Sequence, residues 1–302
     1  MKFALLDPRA TGKETNEKLL SENNCLGVEV TIPSLAAGCK LGNIDPQHSE
    51  KNSQLSAIEV AVSCELPIEE VTLVTVRADL DSIGSMAVIK MRSDALEISP
   101  ETFSRIQQIA EFDKFTNSGW PGPRSVPSRE NPWPNSGESS LSAINQAVMD
   151  FKVSLEQRVA LMETWLKTGQ EPANYRELAD KARNSMISAL ETGQIKYKLN
   201  GDVAVVTSTH MAGTAIGYCL SPVIVVYNPE FRFQGGEPHK KFTIAQFTPG
   251  LVDLKEILEE ISSLETGWGG SPTIVGSPQG VSSILPLETV VEIVKKHKIS
   301  NI

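Results

Sequence analysis

The chain has 302 residues, 40% hydrophobic and 22% charged, an ordinary globular composition that excludes wholesale disorder and leaves room for one large domain or two. Its formal net charge of −9 argues against broad, nonspecific binding of duplex nucleic acid, but not against a short anionic substrate held in a local basic pocket or by metal ions. No apolar run approaches the length of a membrane span, the apolar stretch at 3–6 is too short for a signal segment, and the scattered Cys25, Cys39, Cys64 and Cys219 read as small buried residues of a reducing cytoplasm.

Residues 2–6 read as a first strand, 14–23 as a polar helix, and Gly-Val-Glu-Val-Thr-Ile at 27–32 as a second strand, so the chain opens as a layered α/β sheet. Leu-Gly-Asn-Ile-Asp-Pro-Gln-His follows at 41–48, with a helix expected from about 53 to 65. Asp45 and His48 are ordinary ligands for a manganese-like ion at the mouth of that helix; the competing reading is an Asp-Pro turn with an exposed histidine. Residues 71–76 are apolar and β-branched, as in a strand buried on both faces, and the run breaks at Arg77. If 78–81 stays extended, Asp79 and Asp81 point to the same side, and two carboxylates so close need a counter-cation, for which oxygen ligands at this spacing suit a divalent metal. Gly84 and Ser85 let the following helix begin near the strand end, where α/β sheets bind ligands. In the alternative, Asp81 or Ser82 caps that helix and Asp79 faces water.

Arg-Ala-Asp-Leu-Asp-Ser-Ile-Gly-Ser at 77–85 resembles the first motif of the DHH phosphoesterases, in which an Asp-x-Asp after a buried strand binds manganese. Asn-Ile-Asp-x-x-His at 43–48 looks like an altered Asp-His-His, the signature that names the family. In the family it follows the Asp-x-Asp strand and here it precedes it, so the sheet is permuted or the match is accidental.

Further along, 96–99 suits an edge strand, and Ser-Pro-Glu-Thr at 99–102 opens a helix reaching about 112. Glu-Phe-Asp-Lys-Phe at 111–115 resembles another acidic motif of the family and makes Asp113 a third carboxylate candidate; pairing with Lys114 or Lys90 is its alternative. The loop at 116–140 embeds Trp120, Arg124, Arg129 and Trp133, which suit either a base and phosphate or the packing of covered tryptophans. Helical spacing predicts one long helix over 141–167 and another over 175–191, ended by Thr192 and Gly193.

From about 194, strands are expected at 202–208, 222–227 and 240–247, the last beginning with Lys240 and Lys241, and a helix at 252–264. The glycine-rich phrase at 265–280 brings Gly269, Gly270 and Ser271 together where backbone N–H groups could form an anion nest; a tight loop needing no ligand is the other reading. The phrase resembles the Gly-Gly-Gly-His-Pro motif of the DHH-associated second domain, with Ser271 in place of the histidine. An amphipathic helix at 286–297 closes the chain, and His210 and His239 read as structural histidines or as helpers at an anion site.

The resemblance implies an α/β fold with a parallel-sheet metal-binding domain (1–145), a helical connector (146–193) and a smaller α/β domain with a mixed sheet (194–302). It implies manganese, one or two ions with magnesium as the alternative, held by Asp45, His48, Asp79, Asp81 and Asp113, with Asp79, Asp81 and His48 as the catalytic set. Arg77, Lys240, Lys241, Gly269, Gly270 and Ser271 would hold the substrate. The implied reaction is hydrolysis of a phosphoester in a nucleotide, short single-stranded oligonucleotide or polyphosphate by water acidified on the ions. The competing expectation is a catalytically degenerate nucleotide-binding or partner-binding protein of the same fold. A dehydrogenase is disfavoured because no Gly-x-Gly-x-x-Gly follows an early strand. Neither a duplex nor a membrane is an expected partner, and self-association as a homodimer stays open.

Overall fold

The computed structural model describes residues 1–46, 55–66, 70–113, 120–232 and 236–299. The chain divides into two compact units, one of Met1–Asn117 and Gly137–Asp180, the other of Ser118–Ser136 and Lys181–Ile302. Among the described residues no helix is long and apolar enough to cross a membrane. The architecture is the expected α/β one, with a parallel sheet first and a mixed sheet second.

In the first unit the short apolar runs become parallel strands β1 (Lys2–Leu5), β2 (Cys25–Val28), β3 (Asn43–Ile44) and β4 (Thr72–Thr75), arranged β1-β4-β2-β3. Every residue of β2 and β4 is buried, because helices cover both faces of the sheet. Alternate side chains choose the face. Cys25 and Val74 pack with Leu20 and Leu35 of helices α1 (Lys13–Glu22) and α2 (Pro33–Ala36). Leu26, Val28 and Leu73 join the larger core built by α3 (Ala57–Ala61), α4 (Leu80–Ser93), α5 (Pro100–Asp113), α6 (Glu138–Val148) and α7 (Leu155–Thr168). The connection after β2 therefore leaves by one face and that after β4 by the other, although the two strands are neighbours. Their carboxyl ends flank the crevice where such sheets bind ligands.

Three expectations change. The single helix expected over 141–167 is two, α6 and α7, because Ser154 starts a new helix: its hydroxyl accepts from the Gln157 N–H at 3.2 Å, and Gln157 reaches back to the Ser154 N–H at 3.3 Å. With Val159, Met162, Trp165 and Leu166 fully or almost fully buried, α7 is part of the first core, whereas the expected connector began at 146. The helix α8 (Ala173–Glu191) includes residues of both units. Residues 96–99 form no strand; Ser99 instead accepts from the Thr102 N–H at 3.2 Å at the start of α5.

The second unit is a six-stranded sheet in the order β5 (Ile195–Asn200), β6 (Val203–Ser208), β7 (Val223–Phe231), β8 (His239–Gln246), β10 (Ile274–Gly276), β9 (Gly269–Ser271). Only β6 and β7 pair in parallel; the other pairs are antiparallel. One face packs on α10 (Leu254–Leu264) and α11 (Leu287–Lys296), the other on α9 (Gly213–Leu220). The segment Ser118–Ser136 is laid on this unit by its aromatic and basic residues. Trp120 Nε1 donates to the Tyr218 carbonyl at 3.0 Å, Arg129 forms a two-pronged pair with Glu191 at 2.6 and 2.7 Å, and the Arg183 guanidinium stacks 4.1 Å from the Trp133 ring. The packing reading of these residues is the one the fold adopts.

Candidate metal centre

The start of α4 departs from the extended geometry expected at 78–81. Asp79 is the helix cap: its Oδ1 accepts from the Ser82 N–H at 3.2 Å, and the Ser82 hydroxyl accepts from the Asp79 N–H at 3.1 Å. Its Oδ2 lies 3.3 Å from Arg77 Nε, whose side chain is 76% exposed. Asp81 falls in the first helical turn, so the alternation of an extended segment does not apply, and Asp79 is not among the carboxylates whose oxygens meet. Asp79 is the capping residue, where Asp81 or Ser82 was the alternative, and it does not simply face water.

Asp81 is only 1% exposed, and its two oxygens accept from the Ala57 and Ile58 N–H groups at 2.8 and 2.9 Å. These are the first two amides of α3, which would otherwise lack partners. The hydrogen bonds fix the direction of the carboxylate while leaving lone pairs for another ligand.

Two further carboxylates converge on it. Glu29 follows β2 and Asp113 ends α5, and one oxygen from each of Glu29, Asp81 and Asp113 lies within 4.8 Å of the others. At such separations two ionised groups repel by about 4 kcal/mol at an effective dielectric near 20. Burial, then the charges of Asp81, Asp79, Asp113 and Asp45, push the Glu29 carboxyl up to about 11. Burial and Asp113 also raise Asp81 well above the usual carboxylate range, against the opposing pull of the Ile58 and Ala57 amides. The cluster is stable with all three groups ionised only around a cation; otherwise it retains protons. Oxygen donors of this kind fit a hard divalent ion such as manganese or magnesium.

Of the expected ligands, Asp81 and Asp113 meet. Asp79 and Asp45 act electrostatically on Glu29, and His48 and Lys114 lie outside the described residues. Glu29 was not anticipated. Its signal was a single charge inside the apolar run at 27–32, and its backbone adopts φ 52°, a left-handed conformation that costs a non-glycine residue of order 1 kcal/mol or more.

In the second unit, Gly269–Ser271 form strand β9, paired with β10, so the expected anion nest is not the local structure. Gly270 is required by packing, since a β-carbon there would stand 2.0 Å from the Ile274 carbonyl oxygen. Lys240 is exposed. Lys241 donates its amine to the Ser277 carbonyl, and burial lowers its pKa. His239 is 4% exposed; its Nε2 accepts from the Gly280 N–H at 3.2 Å and its Nδ1 lies 3.2 Å from the Glu237 carbonyl. His210 Nδ1 accepts from the Ala212 N–H at 3.1 Å, leaving the proton on Nε2 to face the Ser185 hydroxyl at 3.3 Å. Both histidines are structural in this arrangement.

No family model and no curated protein matches the chain. Among solved structures it is similar to PggH, a pGpG-specific phosphodiesterase from Vibrio cholerae, at 9% identity over 76% of this chain and 81% of that one, with a TM-score of 0.40. It is also similar to an uncharacterized protein from Helicobacter pylori G27, at 8% identity over 82% of this chain and 80% of that one, with a TM-score of 0.19.

Proposed function

We propose that the chain is a metal-dependent phosphoesterase acting on a nucleotide, a short oligonucleotide or polyphosphate. The observation that carries the reading is the convergence of Glu29, Asp81 and Asp113, from three separate elements, at the carboxyl end of the parallel sheet. The resemblance of 77–85 to the first DHH motif supplies the reaction class.

In this reading Glu29, Asp81 and Asp113 hold manganese, with Asp45 and His48 completing the set. Asp79 shapes the site as the cap of α4 rather than by direct ligation, since its oxygens are not among those of Glu29, Asp81 and Asp113 that meet. When bound, such an ion acidifies a water and neutralises charge on the phosphate oxygens. The buried amides of Ala57 and Ile58 keep Asp81 aimed at the centre, and the exposed Arg77 guanidinium offers a phosphate its remaining N–H groups. Water forms the new P–O bond, the ester P–O bond breaks, and the proton passes to the leaving oxygen. Of the residues expected to hold an anion in the second unit, the exposed Lys240 is proposed as the contact.

The test is a manganese titration followed by thermal unfolding, with hydrolysis assayed on short oligonucleotides, cyclic dinucleotides, phosphoadenosine phosphate and polyphosphate. A manganese-dependent rise in Tm and release of product from one of these, both lost in Asp81→Asn, is the expected result. The engagement of Asp79 with Ser82 and Arg77 favours a second reading, a binding protein that has lost catalysis. No manganese response and no hydrolysis in the wild type, with Asp81→Asn differing from it only in stability, would favour that reading instead.

A further inference from the structure

We infer that Asn43 is a positioning residue that sets the direction of Glu29, and with it the affinity of the acidic cluster for its cation. The inference rests on the manganese reading above and concerns how this chain builds a ligand that its Asp-x-Asp phrase does not supply.

Strands β2 and β3 pair Gly27 with Asn43 and Val28 with Ile44, and the ladder is extended by the Glu29 N–H donating to the Ile44 carbonyl at 2.9 Å. The next residue, Val30, is 1% exposed and finds no strand to pair with in β3; a side chain takes over. Asn43 Oδ1 accepts from the Val30 N–H at 3.2 Å, and Asn43 Nδ2 donates to the Val30 carbonyl at 3.1 Å. One amide side chain thus satisfies both peptide groups of a buried residue, as a paired strand would.

Glu29 is clamped between these two fixed points. Ile44 holds its N–H, Asn43 holds the residue after it, and the Val30 side chain is committed to the core on the α1 and α2 face. Glu29 crosses that gap with φ 52°, and its carboxyl meets Asp81 and Asp113. Gly27 is part of the same device: a β-carbon at that position would stand 2.4 Å from Asn43 Oδ1, so the absent side chain makes the room in which the amide sits. Asn43 therefore acts through the Val30 backbone on a proposed ligand without being one, the arrangement by which an outer residue tunes a metal site.

The experiment compares the wild type with Asn43→Ala, Gly27→Ala and the double variant. Two readouts are used: the manganese dissociation constant, from the EPR signal of the free ion, and Tm in the presence of a chelator. Each single variant is expected to weaken manganese binding by about 10- to 100-fold. In the double variant the methyl introduced by Gly27→Ala occupies the space left by the amide, with the Val30 methyl at 3.1 Å yielding slightly. That variant is expected to regain Tm in chelator but not the affinity for manganese. A merely structural Asn43 would give the opposite pattern, with affinity returning alongside stability, and this would overturn the inference. So would an Asn43→Ala protein that binds manganese within about twofold of the wild type. Wild-type protein that does not bind manganese would overturn the metal reading itself, so the two failures are read from different samples.

Discussion

The two sheets of this protein treat charge in opposite ways. In the second unit the inward-turned polar groups are matched. Glu265 accepts from Trp268 Nε1, the Ser283 hydroxyl and the Ile284 N–H at 2.6, 2.7 and 2.7 Å, and both ring nitrogens of His239 face partners. In the first unit, three carboxyl groups crowd within 4.8 Å at the carboxyl end of a parallel sheet, and two more carboxylates act on them from nearby. Matched groups stabilise a fold. Crowded like charges reduce its stability and persist where a ligand uses them.

The sharpest way to break this contrast is Asp81→Asn. The variant is expected to lose the manganese-dependent rise in Tm and at least about a hundredfold in hydrolysis. It also loses about 1–3 kcal/mol of stability, because one of the two α3 amides is left facing an amide nitrogen. Denaturant unfolding with and without manganese separates the two effects.

Glu265→Ala tests the other side. Removing a carboxylate that serves three donors is expected to destabilise the protein by about 2–4 kcal/mol, while the manganese response of the first unit stays as in the wild type. A lost manganese response in that variant would mean that the two patterns are not independent.

A third test uses pH in the presence of a chelator. With its folded pKa near 11 and an ordinary value near 4.5 when unfolded, Glu29 keeps a proton in the native state that the unfolded chain has released. Native protein therefore binds more protons across that window, and its stability falls as pH rises, by up to about 1.4 kcal/mol per pH unit. Urea unfolding at about pH 6 and about pH 9 should show the slope in the wild type and a flatter one in Glu29→Gln. Manganese affinity should move the other way, rising with pH as the proton it displaces becomes easier to remove.

The smallest expected effect is at Arg77. Exposed and paired with Asp79 at 3.3 Å, it contributes little to folding. Arg77→Met is expected to raise KM about tenfold with a lesser change in kcat, and Arg77→Lys to recover part of the loss. An unchanged KM would remove Arg77 from the substrate site.

What could be read from the chain alone is what neighbours in sequence decide. The strand at 71–76, the helix opened by Ser-Pro-Glu-Thr at 99–102 and the α/β alternation follow from side-chain shape, charge and period over a few residues, and the structure contains all three. The same short-range logic already held the correction at Asp79, since an aspartate three residues before a serine at a helix start is a cap, and the break at Ser154, which is a capping box. Glu29 could not be recognised as part of a centre, because its role depends on a strand end, a left-handed turn and an asparagine from the next strand. Nor could the glycines at 269 and 270 be assigned to a strand until β10 folded against them. Local chemistry determined which segments are strands and helices and where acids occur; only the tertiary structure decided which acids meet, because that depends on contacts between residues far apart in the chain.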